Sequence, residues 1–142
     1  MLPVWYYNYF SGKEANNERK SDRYSILLCR LYHGVNPNCG DDIWLKLKVE
    51  NGIIEDGAFV GDGCAISQAS ADIMLGMIIG KSKEEALRLG KLFLRMIQGE
   101  ADDEEIEQLE EASALKDIAH MPARVKCAVL GWHTLEEALK KL

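Results

Sequence analysis

One predicted β-hairpin constrains the fold of this chain more than any other feature of its sequence. Within residues 43–49, isoleucine, leucine and valine alternate with tryptophan and lysine, and this period of two is typical of a half-buried strand. Asn51-Gly52 follows, a pair suited to the positive φ angles of a tight hairpin turn. Residues 53–60 then supply the returning strand, so a small antiparallel sheet is expected.

Two of the chain's four cysteines flank this hairpin. Cys39 precedes the first strand within Asn-Pro-Asn-Cys-Gly-Asp, which ends at Asp41, and Cys64 follows the second strand within Gly-Asp-Gly-Cys-Ala-Ile-Ser. Antiparallel strands joined by a short turn run side by side, so their outer ends are neighbours. The hairpin therefore predicts that Cys39, Asp41 and Cys64 lie near one another.

The rest of the chain is predicted to be mainly helical. A period of three to four begins after Gly63 and ends near Gly80, and Ser82 opens a second helix with a capping-box pattern that stops at Gly99. Residues 100–111 are strongly acidic and are expected to form a solvated surface, with a docking surface for a basic partner as the alternative.

A last helix is expected to begin at Pro122, because proline suits the first helical turn. Gly131 and a second capping-box pattern at Thr134 predict that this helix bends or restarts. Strands followed by helices indicate an α+β fold, in which helices pack on one face of a small antiparallel sheet.

The cysteine contexts also indicate a metal site. Zinc accepts thiolate and carboxylate ligands in tetrahedral sites, and four residues would supply such groups: Cys39, Asp41, Cys64 and Cys127. Cys64 is expected beside a helix N-terminus, where unpaired N–H groups favour the thiolate. Arg124 lies one helical turn before Cys127 and would offset part of the negative charge.

The spacing alone leaves another interpretation open. The chain has no C-x-x-C pair, and free cysteines are often small buried hydrophobes. Cys29 fits that interpretation, because it ends the apolar run 26–29. Three histidines are rival ligands without a matching partner motif, and surface or packing roles are expected for them: His33, His120 and His133.

Bulk properties disfavour several classes of protein. A net charge of −6 argues against broad binding to nucleic acid. No apolar run approaches the roughly 20 residues that span a bilayer, and the aromatic N-terminus lacks the pattern of a secretory signal. A cytoplasmic location is therefore expected, where thiols stay reduced.

The sequence also argues against a hydrolytic deaminase. That class needs an H-x-E motif followed by P-C-x-x-C, and neither motif occurs in the chain.

Three ordered motifs, at residues 36–41, 61–67 and 123–128, resemble the IscU/NifU-like iron–sulfur cluster assembly family. Lys126 stands where the IscU branch has a histidine before the third cysteine, and the segment between the second and third cysteines is long and acidic. Both features resemble the SufU branch. The family's usual opening segment is not recognisable, so residues 1–35 are interpreted as a divergent N-terminal segment and residues 36–142 as the domain.

The resemblance implies a zinc-dependent sulfurtransferase that accepts persulfide sulfur from the cysteine desulfurase SufS and serves the downstream iron–sulfur assembly machinery. It implies that Cys39, Asp41, Cys64 and Cys127 are the zinc ligands. It further implies that Cys39, released from zinc, takes the sulfur, and that Arg124 is a motif residue near the site. Two alternatives stay open: a scaffold for a [2Fe–2S] cluster on the same ligands, and a zinc-stapled interaction module without sulfur chemistry.

Overall fold

A computed structural model describes residues 29–37 and 40–142, with the backbone alone for residues 29 and 30. Its sheet has three antiparallel strands in the order β1-β2-β3. They are β1 (Cys29–Asn36), β2 (Asp41–Glu50) and β3 (Ile53–Asp62). The aromatic N-terminus and the side chain of Cys29 lie outside this description.

The predicted hairpin is confirmed as β2 and β3. Asn51 and Gly52 connect the strands with φ angles of 52° and 77°, which a two-residue hairpin turn with positive φ requires. The strand pairs run from Glu50 opposite Ile53 at the turn to Asp42 opposite Asp62 at the far end. This register places the start of β2 beside the end of β3.

The first strand was not predicted from the sequence. β1 pairs with β2 along its whole length, from Cys29 opposite Lys48 to Asn36 opposite Asp41. The sheet thus includes residues 29–35, which were predicted to belong to the divergent N-terminal segment. The domain boundary at residue 36 stays a prediction, since residues 1–28 lie outside the description.

Within the described residues, four α-helices and one 3₁₀ segment follow the sheet. They are α1 (Ala65–Ile78), α2 (Lys83–Ile97), α3 (Asp103–Glu107), the 3₁₀ segment (Glu110–His120) and α4 (Pro122–Lys141). The predicted starts and ends hold for α1 and α2: glycines with positive φ follow both helices, and the Ser82 side chain accepts the Glu85 N–H as an N-cap.

The last helix differs from its prediction, because α4 runs unbroken from Pro122 to Lys141. Thr134 does not cap a new helix. Its hydroxyl donates to the Leu130 carbonyl at 2.8 Å, so it bonds back within the same helix. Gly131 is used for close packing, since an added Cβ there would lie 3.3 Å from the Ala71 Cβ on α1.

The acidic stretch is mostly solvated, as predicted. Asp102 and Glu105 form a complete capping box at the start of α3, and Arg95 on α2 pairs with Glu105. Leu109 departs from the pattern: it is fully buried and joins the core. The stretch is thus tied to the domain at both of these points.

The core lies between one face of the sheet and the helices, which confirms the α+β prediction. Alternate residues of β2, namely Ile43, Leu45 and Leu47, are at most 2% exposed on that face. Trp132 on α4 and Phe93 on α2 are fully buried and stack with ring centroids 4.3 Å apart. Among the described helices, none is both long and apolar enough to cross a membrane.

Candidate metal centre

The hairpin brings the first two site residues together. Asp41 is the first residue of β2, and Cys64 follows the end of β3 by two residues. The backbone N–H of Cys64 donates to Asp41 Oδ1 at 3.0 Å. Asp41 and Cys64 therefore lie side by side, as the hairpin geometry predicts, and Asp41 is only 2% exposed.

Two glycines make this close approach feasible. Gly61 has φ of 152°, and an added Cβ there would lie 1.8 Å from the Asp42 carbonyl oxygen. A Cβ on Gly63 would lie 2.3 Å from the Ser67 hydroxyl and 3.5 Å from Asp41 Oδ1. Any larger residue at these positions would push the strand end away from the site.

Cys64 is also the N-cap of α1. Its Sγ accepts the Ser67 backbone N–H at 3.4 Å, in the way that a serine or aspartate oxygen caps other helices. The Cys64 thiol donates to the Ser67 hydroxyl oxygen at 3.8 Å, and that hydroxyl donates to the Cys64 carbonyl at 3.1 Å. The sulfur is therefore held at a helix N-terminus, where the helix dipole favours negative charge.

These contacts make the Cys64 thiol more acidic than an ordinary cysteine. Burial raises its pKa, but hydrogen bonds with the Ser67 N–H, the Cys127 thiol, the Ser67 hydroxyl and the Ile66 N–H together outweigh burial and lower the pKa. A lowered pKa enlarges the thiolate fraction at neutral pH, and thiolate is the form that binds metals.

Cys127 completes the group from α4. It is fully buried, and one ligand atom each from Asp41, Cys64 and Cys127 lies within 4.8 Å of the other two. We call these three residues the metal-centre trio. In the described part of the chain, no other cluster of histidine, cysteine, aspartate and glutamate converges in this way.

The trio fits a zinc ion by donor type and by spacing. Zinc binds sulfur at about 2.3 Å and carboxylate oxygen at about 2.0–2.2 Å, so neighbouring ligands of a tetrahedral site lie roughly 3.3–3.8 Å apart. The three ligand atoms of the trio lie within 4.8 Å of one another, an upper limit somewhat longer than these distances. Small side-chain rotations would bring the atoms to the spacing of a tetrahedral site. Three protein ligands leave one tetrahedral position for a fourth.

The remaining predicted site residues lie as follows. Cys39, the predicted fourth ligand and sulfur acceptor, lies outside the described residues. Arg124 lies in the first turn of α4, one turn before Cys127, and its side chain is exposed. The ligand and catalytic roles of these residues stay predictions.

The three histidines take no part in the trio. His120 and His133 are exposed. His33, on β1, bonds through Nε2 to Asp42 Oδ1 at 2.6 Å and stacks on Trp44 with ring centroids 4.1 Å apart. These surface and packing contacts match the roles expected from the sequence.

Sequence reasoning overlooked Ser67. Its position, three residues after Cys64, is the spacing of an N-cap residue and the N–H that it accepts, and this spacing could have revealed the contact. The pairing of His33 with Asp42 was also missed. It depends on the register of β1 against β2, for which the local sequence carries no signal.

A family model decides the classification of the chain. The NifU-like N-terminal domain model matches residues 30–105, which is more than half of the sequence. The chain belongs to this family. The resemblance stated from the three cysteine motifs is thereby confirmed.

Curated relatives support the match over most of the chain. The protein is 50% identical over 112 residues to the iron–sulfur cluster assembly scaffold protein IscU of Thermotoga maritima, covering 79% of this chain and 78% of that one. It is 45% identical over 106 residues to the zinc-dependent sulfurtransferase SufU of Bacillus subtilis, covering 75% of this chain and 71% of that one.

Solved structures agree with the fold. A putative iron–sulfur cluster assembly scaffold protein for the SUF system from Fervidobacterium islandicum superposes with a TM-score of 0.74 at 42% identity, covering 78% of this chain and 79% of that one. The N-terminal part of a NifU-like protein from Brucella abortus gives a TM-score of 0.68 at 21% identity, covering 79% and 77%, which supports the fold alone.

Proposed function

We propose that this chain is a zinc-dependent sulfurtransferase that accepts persulfide sulfur from a cysteine desulfurase of the SufS type. One observation carries the proposal: two thiols and a carboxylate converge in a chain that is 45% identical to a zinc-dependent sulfurtransferase. A carboxylate in place of a further thiolate makes the site less fully thiolate and its ligands easier to exchange. Exchange is what a sulfur acceptor needs if one ligand must leave to react.

Within this proposal, the metal-centre trio holds the zinc. Zinc bound there would supply positive charge that keeps the coordinating thiols deprotonated. Cys64 is prepared for that role by its lowered pKa, and Asp41 is held in place by the Cys64 N–H. Cys127 is fully buried on α4, which suits a ligand that stays in place throughout.

Cys39 is the proposed sulfur acceptor. Only Gly40 separates it from Asp41, so the backbone limits the distance between the Cα atoms of Cys39 and Asp41 to about 7 Å. The Cys39 thiolate would attack the outer sulfur of the desulfurase persulfide. A new S–S bond forms to that sulfur while its bond to the desulfurase cysteine breaks and leaves a thiolate there, so no external oxidant or reductant is needed.

Arg124 is proposed to help this exchange. It is exposed on the first turn of α4, on the same helix as Cys127. A guanidinium keeps its charge at any physiological pH, so it can stabilise a thiolate released nearby. We expect Arg124→Ala to slow sulfur transfer without lowering the zinc content.

Desulfurase turnover with and without this protein tests the proposal. The wild type should accelerate SufS, and Cys39→Ala should lose most of that acceleration because the acceptor thiol is gone. Cys29→Ala is the matched control, since it removes the one cysteine outside the three motifs, and it should accelerate SufS like the wild type. Equal acceleration by Cys39→Ala would show that the acceptor is another group.

A scaffold for a [2Fe–2S] cluster is the second candidate. It is favoured by the 50% identity to the IscU scaffold protein of Thermotoga maritima. Thiolates hold both zinc and iron–sulfur clusters, so the ligands alone do not separate the two functions. Purification without air does: about one zinc per chain and a colourless protein support the sulfur acceptor, whereas iron, sulfide and visible absorption support the scaffold.

The partners follow from the proposed reaction. A persulfide-bearing desulfurase must supply the sulfur, and the downstream iron–sulfur assembly machinery must consume it. The expected cytoplasmic location stays a prediction from the sequence.

A further inference from the structure

A single buried hydroxyl connects the helices that carry Cys64 and Cys127. Ser70 on α1 is fully buried, and its Oγ donates to the Ala128 carbonyl on α4 at 2.6 Å. The same Oγ accepts the indole N–H of Trp132 at 3.1 Å. Ser70 therefore bonds to two points on α4, one and five residues after Cys127.

The partners of this hydroxyl are themselves fixed in position. Trp132 is fully buried and stacks on Phe93 of α2, so the indole cannot turn away from Ser70. Beside it, Gly131 lets α4 approach α1 closely, because even a Cβ there would lie 3.3 Å from that of Ala71. The link thus lies at a tight helix crossing that has little freedom to shift.

The contacts between α1 and α4 follow one register. Cys64 lies beside Cys127, Ser70 bonds to Ala128 and Trp132, and Ala71 lies beside Gly131. A slip of one residue along a helix moves a side chain by about 1.5 Å and turns it by about 100°. Such a slip of α4 would carry the Cys127 thiol out of reach of an ion that Cys64 would hold.

We propose that Ser70 is a positioning residue for the metal centre, which sets the spacing of the Cys64 and Cys127 thiols through its bonds to Ala128 and Trp132. The two buried serines of α1 then have complementary roles. Ser67 contacts the Cys64 thiol directly, whereas Ser70, one turn further along, holds the turn of α4 that carries Cys127. This inference rests on the metal-binding part of the proposed function and is independent of sulfur transfer.

Zinc affinity of purified protein, measured by competition with a chelator, tests the inference. Ser70→Ala should weaken zinc binding about 10- to 100-fold, the usual effect of losing a residue that orients metal ligands. Thr134→Val is the matched control: Thr134 is buried on α4, but its hydroxyl bonds only within that helix, to Leu130. The control should change zinc affinity less than threefold.

Trp132→Phe supplies a second, milder test, in case Ser70→Ala folds poorly. It keeps a ring to stack on Phe93 and keeps the bond from Ser70 to Ala128, but removes the indole donor that orients the hydroxyl. Zinc affinity should fall by less than tenfold, yet by more than in Thr134→Val. Equal zinc affinity for Trp132→Phe and Thr134→Val would contradict a positioning role.

The visible absorption of the cobalt-substituted protein separates positioning from simple stability, because these bands report the distances and angles of the ligands. The bands should shift in Ser70→Ala and stay unchanged in Thr134→Val, even where thermal unfolding of the metal-free variants shows equal losses of stability. Unchanged bands and zinc affinity in Ser70→Ala would overturn the inference.

The sulfurtransferase proposal and the positioning role of Ser70 can fail separately. Zinc binding by the wild type without desulfurase stimulation would refute only the sulfurtransferase proposal. A wild type that binds no zinc would refute both the sulfurtransferase proposal and the positioning role of Ser70.

Discussion

At the scale of single residues, the candidate site depends on where the backbone can approach itself. The end of β3 passes so close to the start of β2 that Gly61 has no room for a side chain. Two residues later, Gly63 makes room for Ser67, which contacts the Cys64 thiol. The glycines of this motif are therefore explained by sterics at the site itself.

Gly61→Ala should destabilise the metal-free protein by roughly 2–6 kcal/mol, the sum of backbone strain at positive φ and a clash with the Asp42 carbonyl. Gly76→Ala is the matched control, since Gly76 is exposed on α1 and its added Cβ meets nothing within 4 Å. It should stabilise the protein by about 0.5–1 kcal/mol. Denaturant unfolding measures both, and equal effects would contradict the steric account.

The hydrogen bonds that lower the pKa of Cys64 predict how the reactivity of this thiol depends on pH. Ser67→Ala removes the hydroxyl, one of the hydrogen-bond partners that lower this pKa, so the pKa should rise and the alkylation of Cys64 should begin at higher pH. Peptide-resolved mass spectrometry of the metal-free protein follows this residue among the four cysteines. Ser113→Ala, far along the chain, should leave the alkylation profile in place. If the alkylation of Cys64 had the same pH profile in Ser67→Ala and in the wild type, the Ser67 hydroxyl would not be a cause of the lowered pKa.

At the scale of elements, the same sequence pattern has two outcomes. Ser82 and Thr134 both begin a capping-box pattern, yet only Ser82 caps a helix. Thr134 is instead buried against β1, where Gly34 leaves space: a Cβ there would lie 2.0 Å from the Thr134 hydroxyl. Tertiary packing thus overrides the local signal and keeps α4 continuous.

Ser82→Ala should lower the free energy of unfolding by about 1 kcal/mol, the usual effect of losing a helix N-cap. The Ser82 hydroxyl accepts the Glu85 N–H, and that donor would be left to water. Ser113→Ala serves as the control, because Ser113 lies within the 3₁₀ segment and caps no helix, and it should cost no more than about 0.5 kcal/mol. A loss as large in the control as in Ser82→Ala would exclude the capping explanation.

At the scale of the whole molecule, the sequence was sufficient where the signals are local. Alternation and Asn51-Gly52 predicted the hairpin, and the hairpin alone predicted that Asp41 and Cys64 are neighbours. The place of Cys127 could not be derived in this way. It depends on how α4 packs on α1 and β1, which is fixed by contacts between residues distant in sequence, such as the bond from Ser70 to Ala128.

Because the trio joins the sheet, α1 and α4, zinc should stabilise the whole domain. At free zinc about 100 times the dissociation constant, binding to the folded state alone adds about 2.7 kcal/mol. Thermal unfolding with zinc and with a chelator measures the difference. Equal unfolding temperatures would contradict metal binding, whereas complete unfolding by the chelator without any effect on desulfurase turnover would favour the zinc-stapled interaction module.

The most direct test of the central proposal is to locate the transferred sulfur. The zinc-loaded protein is incubated with SufS and cysteine, thiols are blocked, and peptides are analysed by mass spectrometry. The proposal predicts the mass of one added sulfur atom on the peptide of Cys39, with Cys64 and Cys127 unmodified. Sulfur found on Cys64 or Cys127, or an unmodified chain beside a persulfide-loaded desulfurase, would contradict it.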